Sequence, residues 1–590
     1  MRSAQSAERA PATNPIARWI LRGAAFLLPL AFLPNLVDEF VLPKLLLVRL
    51  VLVALTISLL VRWVAEGRVT WRRTRLDLPL LAFIASGALS AIFAVNRNVA
   101  LFGTYDRWEG LLTIVTYALL FWLAVQLISG EADARGVSWS LLLSGYFIGA
   151  AAILQSAFGL LGGGYFREGT NGPIRADVTL ANPDFLGIFL AMLIPIAVAK
   201  MVSRRPGTTR ILSANLVVVL ALGLLTTFTR AAWIGAIVGV IVVLALRRGR
   251  FHLWPVLVSV ALVVTGFGAL AGIVASRPSN AQGGFGNALV ARIVSIGNLN
   301  SDTEANRLKT WADTLPLIAS RPILGWGPDT FGLVYPQYQS VNKGGTLWDK
   351  PHQDALGVAA SQGILGLLAY IWILVAFVRA FWRGRTLRGA VALFAAFVAY
   401  EVSIQADFSW IPTSLPFWLL AAAAIVTWAP DVKPVLVAEV PRRIAVPAFA
   451  VVTLVLVLLV IPAVVFPYLA DADYYATQAA ADLGQARATI AQARSLAPYE
   501  ATYAIEAGNY ALNLDQNGNP ASNADWPAAQ DAYQTAARLG SYSPEMFREL
   551  AIVDEHLGDH AGAVAAARRA LELDRYDPES KSLLARLTGT

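Results

Sequence analysis

The chain has 590 residues, of which 56% are hydrophobic and 15% are charged, and its mean hydropathy is +0.57. This composition excludes an ordinary water-soluble protein and indicates many membrane-spanning segments, because water cannot solvate so much apolar surface. The net charge of +8 does not indicate a nucleic-acid partner, because most of the surplus cations lie in short loops between apolar segments. The absence of cysteine excludes disulfides, thiolate metal sites and cysteine nucleophiles.

Thirteen apolar segments of about 20 residues, the length that crosses a bilayer, follow one another along the chain. They are residues 16–34, 43–63, 78–96, 109–129, 138–160, 183–201, 211–228, 231–247, 253–275, 355–380, 387–406, 413–429 and 444–468. The first has no evident cleavage site of small residues, so we interpret it as a retained helix and not as a signal peptide. The sequence predicts an all-α polytopic bundle of about 12 or 13 transmembrane helices.

Clusters of Arg and Lys orient this bundle. They follow the second, sixth, eighth, tenth and twelfth segments, so one orientation places all of them in the cytoplasm. The predicted organisation is a cytoplasmic N-terminus (1–15), a polytopic membrane domain (16–429) with a large extracytoplasmic loop (276–353), a cytoplasmic linker (430–443), a last transmembrane helix (444–468) and an extracytoplasmic domain (470–590).

Several polar residues mark the outer ends of the predicted helices. Arg107 opens the fourth segment, and Arg175 lies shortly before the sixth. Asn182 opens the sixth segment in front of a proline, which a helix cap explains fully. Arg230 opens the eighth segment, where the helix dipole disfavours a cation unless an anion binds beside it. The alternative for Arg230 is an arginine that extends to the membrane surface.

The loop 276–353 contains a predicted helix in "SDTEANRLKTWADTLPLIASRP". Ser301 and Glu304 have capping-box spacing. Arg307 and Trp311 are four residues apart and therefore share one helix face. Arg307 is either part of a site or a solvated charge that stacks on Trp311.

His352 is the one histidine predicted to be external and close to the bilayer, in "DKPHQDALGVAASQGILG". A helix N-terminus favours the neutral imidazole that a general base needs, and Asp349 or Asp354 is expected to orient the ring. The alternative is a surface histidine, with Asp354 as an N-terminal helix charge. Taken together, these side chains predict one outer pocket that is rich in Arg, contains one His and suits a phosphate-bearing substrate in the membrane.

From Ala470 the sequence becomes Ala-rich, charged and amphipathic. Pro544 and Pro578 are 34 residues apart, the period of tetratricopeptide repeats, and "HLGDHAGAVAAARRALELD" resembles one such repeat. We predict an α-helical tetratricopeptide-like repeat domain, which serves either as a packing module or as a docking surface for a protein partner.

The segments "TLANPDFLGIFLAMLIPIA", "TFTRAAWIGAIVG", "NRLKTWADTLPLIASRPILGWGPDTF" and "KPHQDALGVAASQGILGLLAY" resemble, in order and spacing, the O-antigen ligase/polymerase superfamily. The resemblance spans roughly Leu101 to Trp428. It implies a bacterial inner-membrane enzyme that transfers a glycan from undecaprenyl pyrophosphate by inversion, with no metal or cofactor. The acceptor would be a hydroxyl of a lipid, a protein or another glycan on the outer face.

The resemblance also implies roles for single residues. His352 is the expected base that activates the acceptor hydroxyl. The arginines that it implies for pyrophosphate binding are Arg175, Arg230 and Arg307. Independently of the resemblance, we also expect Asn182, Trp311 and Asp354 to bind the substrate. Arginine can replace a metal here, because a lipid pyrophosphate is a good leaving group and needs only charge stabilisation.

Three other functions remain open at this point. A polymerase would differ from a ligase only in its acceptor. A transporter predicts charged residues near the middle of the spans, for which Glu401 is the candidate. A membrane-anchored scaffold is disfavoured, because an anchor needs one span and not thirteen.

Overall fold

The computed structural model describes residues 15–160, 174–202, 208–247, 258–266, 288, 290, 292, 294, 302–341, 348–429, 432, 434–513 and 520–589. This part of the chain is mostly helical, which confirms the helical character of the predicted fold. Ser301 of the predicted capping box lies outside the described residues, as do most of the loop 161–180 and much of the ninth predicted segment.

The helices up to the last predicted span have the following bounds. They are α1 (Pro15–Leu30), α2 (Val41–Glu66), α3 (Asp77–Ile92), α4 (Arg97–Phe102), α5 (Leu111–Leu127), α6 (Glu131–Phe158), α7 (Pro183–Met201), α8 (Thr208–Leu225), α9 (Arg230–Leu246), α10 (Asp302–Ser320), α11 (Phe331–Val334), α12 (Asp354–Gly384), α13 (Ala390–Ile404), α14 (Ile411–Trp428) and α15 (Arg442–Val460). A 3-10 turn (Tyr335–Gln337) follows α11, and residues 258–266 are also helical.

Among the described residues, six helices are long and apolar enough to cross a membrane. They are α2, α6, α7, α12, α14 and the continuous helix that begins with α15. Five shorter apolar helices accompany them. Every predicted segment overlaps helical residues, and the described part of 253–275 is 258–266. The protein is therefore a multi-pass membrane protein, and the number of thirteen spans stays a prediction.

Burial separates the centre of the bundle from its edge. In the most apolar stretch of α7, 83% is buried, and the corresponding share in α14 is 94%. None of the residues of α15 is buried. An apolar helix with every face exposed within the protein is suited to lipid, so α15 lies at the periphery while α7 and α14 lie in the core.

Glycines allow α9 and α13 to approach closely. An added Cβ at Gly235 would lie 2.5 Å from the carbonyl oxygen of Ala399, and one at Gly239 would lie 2.9 Å from Cβ of Ala399. Helices in a membrane gain little from the hydrophobic effect and associate by close backbone packing at small residues. This contact holds the N-terminus of α9 in place beside the rest of the bundle.

A short antiparallel ribbon is the one departure from the predicted all-α fold within the described residues. Strand β1 (Arg68–Trp71) pairs with β2 (Val435–Glu439), with Arg68 opposite Glu439 and a register shift between Val69 and Thr70. Both segments lie between predicted spans, so the sequence predicts loops there. Pairing satisfies their backbone groups and ties the end of α2 to the residues before α15.

The helix α12 is broken at Gly363, which adopts φ 65° and ψ −161°. This backbone conformation is accessible essentially to glycine alone. The backbone N–H groups of Trp326 and Gly327 donate to the carbonyl oxygens of Ala360 and Ser361, at 3.0 and 2.9 Å. The carbonyl oxygens at the break therefore bind the backbone of the loop that follows α10, and these bonds fix that loop on the bundle.

The C-terminal part consists of short helices that pack successively on one another. They are α16 (Phe466–Gln478), which continues from α15 through a π-turn (Ile461–Val465), α17 (Leu483–Leu496), α18 (Ala501–Leu512), α19 (Trp526–Leu539), α20 (Pro544–His556), α21 (His560–Leu573) and α22 (Pro578–Thr588). Side chains of Asp482, Asp525, Ser543, Asp559 and Asp577 cap five of them. Their assignment to the tetratricopeptide class stays a prediction.

These C-terminal helices are docked on the bundle. The side chain of Asn98 in α4 donates to the carbonyl oxygens of Tyr499 and Leu539, at 2.8 and 3.0 Å. Phe102 stacks on Tyr499 with ring centroids 4.4 Å apart. Asp471 of α16 accepts hydrogen bonds from the hydroxyls of Tyr105 and Tyr503. The C-terminal helices thus pack against the loops at one end of the bundle.

Candidate functional site

The N-termini of α7 and α9 lie side by side at that same end, and one carboxylate joins them. Asn182 caps α7, and its Oδ1 accepts from the backbone N–H of Asp184 at 2.8 Å. Asp184 Oδ1 in turn accepts from the hydroxyl of Thr229, the N-cap residue of α9, at 2.8 Å. The first N–H groups of both helices therefore face one region, which favours a bound anion.

Arg175 and Arg230 add positive charge to these two helix ends. Nη2 of Arg175 donates to Asp184 Oδ1 at 2.8 Å, and its Nε donates to the carbonyl oxygen of Thr227 at 2.9 Å. Arg230 is the first residue of α9 and is buried, with 8% of its surface exposed. The structure therefore places Arg175, Asn182 and Arg230 at these two helix ends.

The helix α10 brings two further predicted residues to this place. Arg307 acts electrostatically on Asp184, and so do Arg175 and His352. Trp311, one turn after Arg307, donates its indole N–H to the carbonyl oxygen of Pro351 at 2.9 Å. Since Pro351 directly precedes His352, this bond fixes α10 against the backbone of the histidine.

His352 lies just before α12 with a positive φ of 53°, which is rare for a residue other than glycine. Its ring meets Trp348 and Phe408 edge to face, with centroid distances of 4.9 and 5.2 Å. Nδ1 lies 3.5 Å from Oδ1 of the buried Asp407. His352 Nδ1 and Asp407 Oδ2 have no hydrogen-bond partner within the described residues. A small movement would make a His–Asp hydrogen bond, at about 3 Å.

The prediction that Asp349 or Asp354 orients the ring of His352 is wrong, because a different carboxylate lies beside the ring. Asp354 accepts from the backbone N–H and the hydroxyl of Ser409, at 2.9 and 2.7 Å. Asp349 forms a bidentate pair with Arg107. Both carboxylates are thus occupied elsewhere. Asp407, which follows the end of α13, is the carboxylate that faces Nδ1.

Two ion pairs fix the loops beside the histidine. Burial would raise the pKa of Asp349, but the neighbouring Arg107 guanidinium outweighs it and holds that pKa below its ordinary value. Nζ of Lys350 lies 2.6 Å from Oδ1 of Asp329, whose other oxygen accepts from the backbone N–H of Thr104. These pairs join the chain just before α12 to the loops after α4 and α10.

Tyr542 of the C-terminal part lies beside the Arg107–Asp349 ion pair. An added Cβ at Gly332 would lie 3.4 Å from both Asp349 and the ring of Tyr542, so these two residues lie on either side of Gly332. Tyr542 packs both on the core of the C-terminal helices and on the apolar cluster around α11. It therefore links the C-terminal helices to the Arg107–Asp349 pair.

Strained backbone is concentrated around these loops. Positive φ values at residues other than glycine occur at Asp106, Trp108, Val178, Ala181, Phe228, Asp329 and His352, and also at Asn513 in the C-terminal part. Each such residue costs free energy, about 1–3 kcal/mol in the least populated regions, and persists only where its surroundings fix it. The loops before α5, α7, α9 and α12 are thus held in specific conformations at this end of the bundle.

A cavity of about 170 Å³ extends from the loop of His352 into the bundle. Its wall includes Glu109, Lys350, Asp354 and Glu401 among many apolar side chains. Glu401 accepts from the hydroxyl of Tyr370 at 2.9 Å. The cavity offers an apolar site with a few polar groups beside the candidate base.

Sequence reasoning missed the two carboxylates at the centre of the site. Asp184 follows the Asn-Pro pair that begins α7, and a charged residue at that position is a usable signal in the sequence. Asp407 gave a weaker signal, as an acid between two apolar segments. Arg292, whose Nε donates to the carbonyl oxygen of Phe228 at 3.0 Å, adds a further arginine beside α9 that was not predicted.

Residues 215–371 match the family model described as O-antigen ligase. The match includes Arg230, Arg307, Trp311, His352 and Asp354, and it supports the resemblance to the O-antigen ligase superfamily drawn from the sequence. No curated protein matches the chain. Among the described residues, no group of three or more His, Asp or Glu side chains is arranged to hold a metal ion.

Proposed function

We propose that the protein is a glycosyltransferase of the O-antigen ligase type. It would transfer a glycan from an undecaprenyl-pyrophosphate carrier to an acceptor hydroxyl. The observation that carries the proposal is the convergence of two helix N-termini, Arg175 and Arg230 near the His352–Asp407 pair. The match of residues 215–371 supports the same activity.

The donor pyrophosphate would bind at the N-termini of α7 and α9. Arg175, Arg230 and Arg307 bring three positive charges to this region, which also holds the carboxylate of Asp184. Backbone N–H groups at helix N-termini and guanidinium groups both bind phosphate oxygens. As the glycosidic bond breaks, negative charge grows on the leaving pyrophosphate, and these groups stabilise it.

His352 would act as the general base. Its Nε2 accepts the proton of the acceptor hydroxyl while the hydroxyl oxygen bonds to the anomeric carbon. The bond from that carbon to the pyrophosphate oxygen breaks, and its electron pair stays on undecaprenyl pyrophosphate. Asp407 holds Nδ1 protonated and stabilises the imidazolium that forms. Attack from the face opposite the leaving group inverts the anomeric centre, and this scheme needs no metal.

The site would face the outside of the bacterial inner membrane. The predicted cytoplasmic cations Lys200, Arg247 and Arg383 lie near the C-terminal ends of α7, α9 and α12, whose N-terminal ends form the site. The positive-inside rule puts those cations in the cytoplasm, and His352 with the C-terminal helices on the other side.

The acceptor separates a ligase from a polymerase. The contact of Tyr542 with the region of Asp349 favours a large acceptor that meets both parts of the protein. A transporter would instead use the charge of Glu401 in the cavity, and substrate uptake that depends on Glu401 would support it.

The test compares wild type, His352→Ala and Arg230→Ala, reconstituted with a glycan on undecaprenyl pyrophosphate and a hydroxyl acceptor. We expect both variants to lose transfer and release of the lipid pyrophosphate by about 100-fold or more. His560→Ala and Arg586→Ala are matched controls, because both residues are exposed in the C-terminal helices. Full activity in folded His352→Ala protein would refute the assignment.

A further inference from the structure

A second charged cavity lies at the end of the bundle opposite His352. The helices α7 and α9 begin in the candidate site and end beside this cavity. The 19 residues of α7 span about 28 Å, close to the thickness of a bilayer core of about 30 Å. The two regions therefore belong to opposite membrane surfaces.

The cavity has a volume of about 520 Å³ and a strongly basic wall. Its lining includes five cations, namely Arg135, Lys200, Arg247, Arg385 and Arg388. One carboxylate accompanies them: Glu131, with Oε1 3.6 Å from Nη1 of Arg135. The cavity therefore has an excess of four positive charges in one concave space.

These cations oppose one another within the protein. The charges of Arg135 and Arg388 both act unfavourably on Lys200. Like charges brought together cost free energy unless an anion lies between them. An anionic group in the cavity would convert this repulsion into several charge-assisted hydrogen bonds.

The remaining lining suits a lipid. Nζ of Lys200 lies 4.2 Å from the ring centroid of Trp139, and both residues line the cavity. The guanidinium of Arg385, also in the lining, lies 4.4 Å from the ring centroid of Trp382 beside the cavity. Tryptophan is enriched at the depth of lipid headgroups. Apolar side chains such as Ile196 and Val243 line the side towards the membrane core. A free phosphate would use only the cations, whereas a phospholipid would also cover this apolar wall.

We propose that this cavity binds the phosphodiester headgroup of an anionic phospholipid, with the acyl chains along its apolar side. Basic pockets between transmembrane helices bind such headgroups in other membrane proteins. The site is independent of the transfer activity proposed above, because it lies at the other ends of the same helices.

The general attraction of cations to a negative membrane surface is the competing explanation. It would act equally on every arginine at this surface. Arg379, exposed on α12 and absent from the cavity lining, provides the matched comparison.

The test uses the full-length protein in nanodiscs of phosphatidylcholine with added phosphatidylglycerol, and it counts retained lipids by native mass spectrometry. Wild type and Arg379→Gln should retain phosphatidylglycerol selectively, while Arg135→Gln and Arg388→Gln should each lose it by about fivefold. Equal losses in all three variants would overturn the proposal, as would equal retention of phosphatidylcholine.

Two further measurements complete this test. Inorganic phosphate and glycerophosphoglycerol, which carry the anion without acyl chains, should not displace the lipid at millimolar concentration. Displacement by either would assign the cavity to a soluble phosphate and overturn the lipid assignment. Melting temperatures in pure phosphatidylcholine should agree among the variants, since a difference there would attribute the loss to misfolding and count against the site.

Discussion

His352 Nδ1 lies 3.5 Å from Oδ1 of Asp407, although the two residues are 55 positions apart and belong to different helix ends. Trp348 and Phe408 hold the imidazole ring on two sides, so its plane is fixed before any substrate arrives. Asp407 is buried and faces the nitrogen that would keep its proton in the proposed mechanism, in which the other nitrogen is the base.

Replacing Asp407 should therefore impair the chemical step. We expect Asp407→Asn to lower kcat of glycan transfer by about 100-fold with little change in KM, because the imidazole loses its orienting charge. Steady-state kinetics with a purified donor measure both constants. Asp531→Asn is the control, since Asp531 is exposed in the C-terminal helices. A change in KM alone for Asp407→Asn would contradict a role in proton transfer.

Arg175 should contribute to donor binding through geometry as well as charge. Arg175→Lys keeps the charge but cannot donate to both Asp184 and Thr227 from one planar group. We expect KM for the lipid-linked donor to rise by about tenfold, since a lost charge-assisted hydrogen bond is worth about 1.5–3 kcal/mol. Asn182→Ser retains a cap and should behave like wild type, whereas a larger loss in Asn182→Ser than in Arg175→Lys would argue against the proposed anion site.

Gly363 should be essential for the position of the loop after α10. An added Cβ would lie 2.3 Å from the carbonyl oxygen of Ile323, and the φ of 65° with ψ of −161° disfavours any side chain. We expect Gly363→Ala to lower the free energy of unfolding by about 1–3 kcal/mol. The melting temperature in detergent should fall accordingly. In Gly357→Ala, on the same helix, the nearest atom would be at an ordinary 3.6 Å, and the melting temperature should not change. Equal melting of both variants would contradict this account.

Docking of the C-terminal helices should depend on pH. Burial raises the pKa of Asp38 and Glu500 to about 7 and that of Asp106 to about 6. A carboxylic acid whose pKa is raised by docking stabilises the docked C-terminal helices fully below about pH 4. This contribution is lost as the pH rises through 6 and 7. We expect hydrogen exchange in α16–α18 to be slower at pH 5.5 than at pH 8.

Glu500→Gln provides the check on this pH dependence. Glutamine cannot ionise, so the variant should show a smaller difference in exchange rate between pH 5.5 and pH 8 than wild type. The rates are compared after correction for the pH dependence of intrinsic exchange. Glu572→Gln, which removes an exposed acid outside α16–α18, should leave the difference unchanged. Exchange that is faster at pH 5.5 than at pH 8 would reverse the sign and refute the account.

The sequence by itself determined the membrane class, the helical fold and most of the arginines of the site. Apolar segments of bilayer length and the cations between them are local signals that need no knowledge of packing. The helix caps are equally local, and the structure has Asn182 and Thr229 at the N-caps of α7 and α9. The motifs around Arg230, Arg307 and His352 carried a resemblance that the family match supports.

Only the tertiary structure decided which carboxylate meets which cation. Asp349, Asp354 and Asp407 are all acids near a helix end, and nothing in their spacing tells which one faces His352. That choice depends on how the loop before α12 packs against the residues after α13, where Trp348 and Phe408 contact the histidine ring. These contacts join residues far apart in the chain, so their free energy depends on the packed arrangement and leaves no local pattern in the sequence.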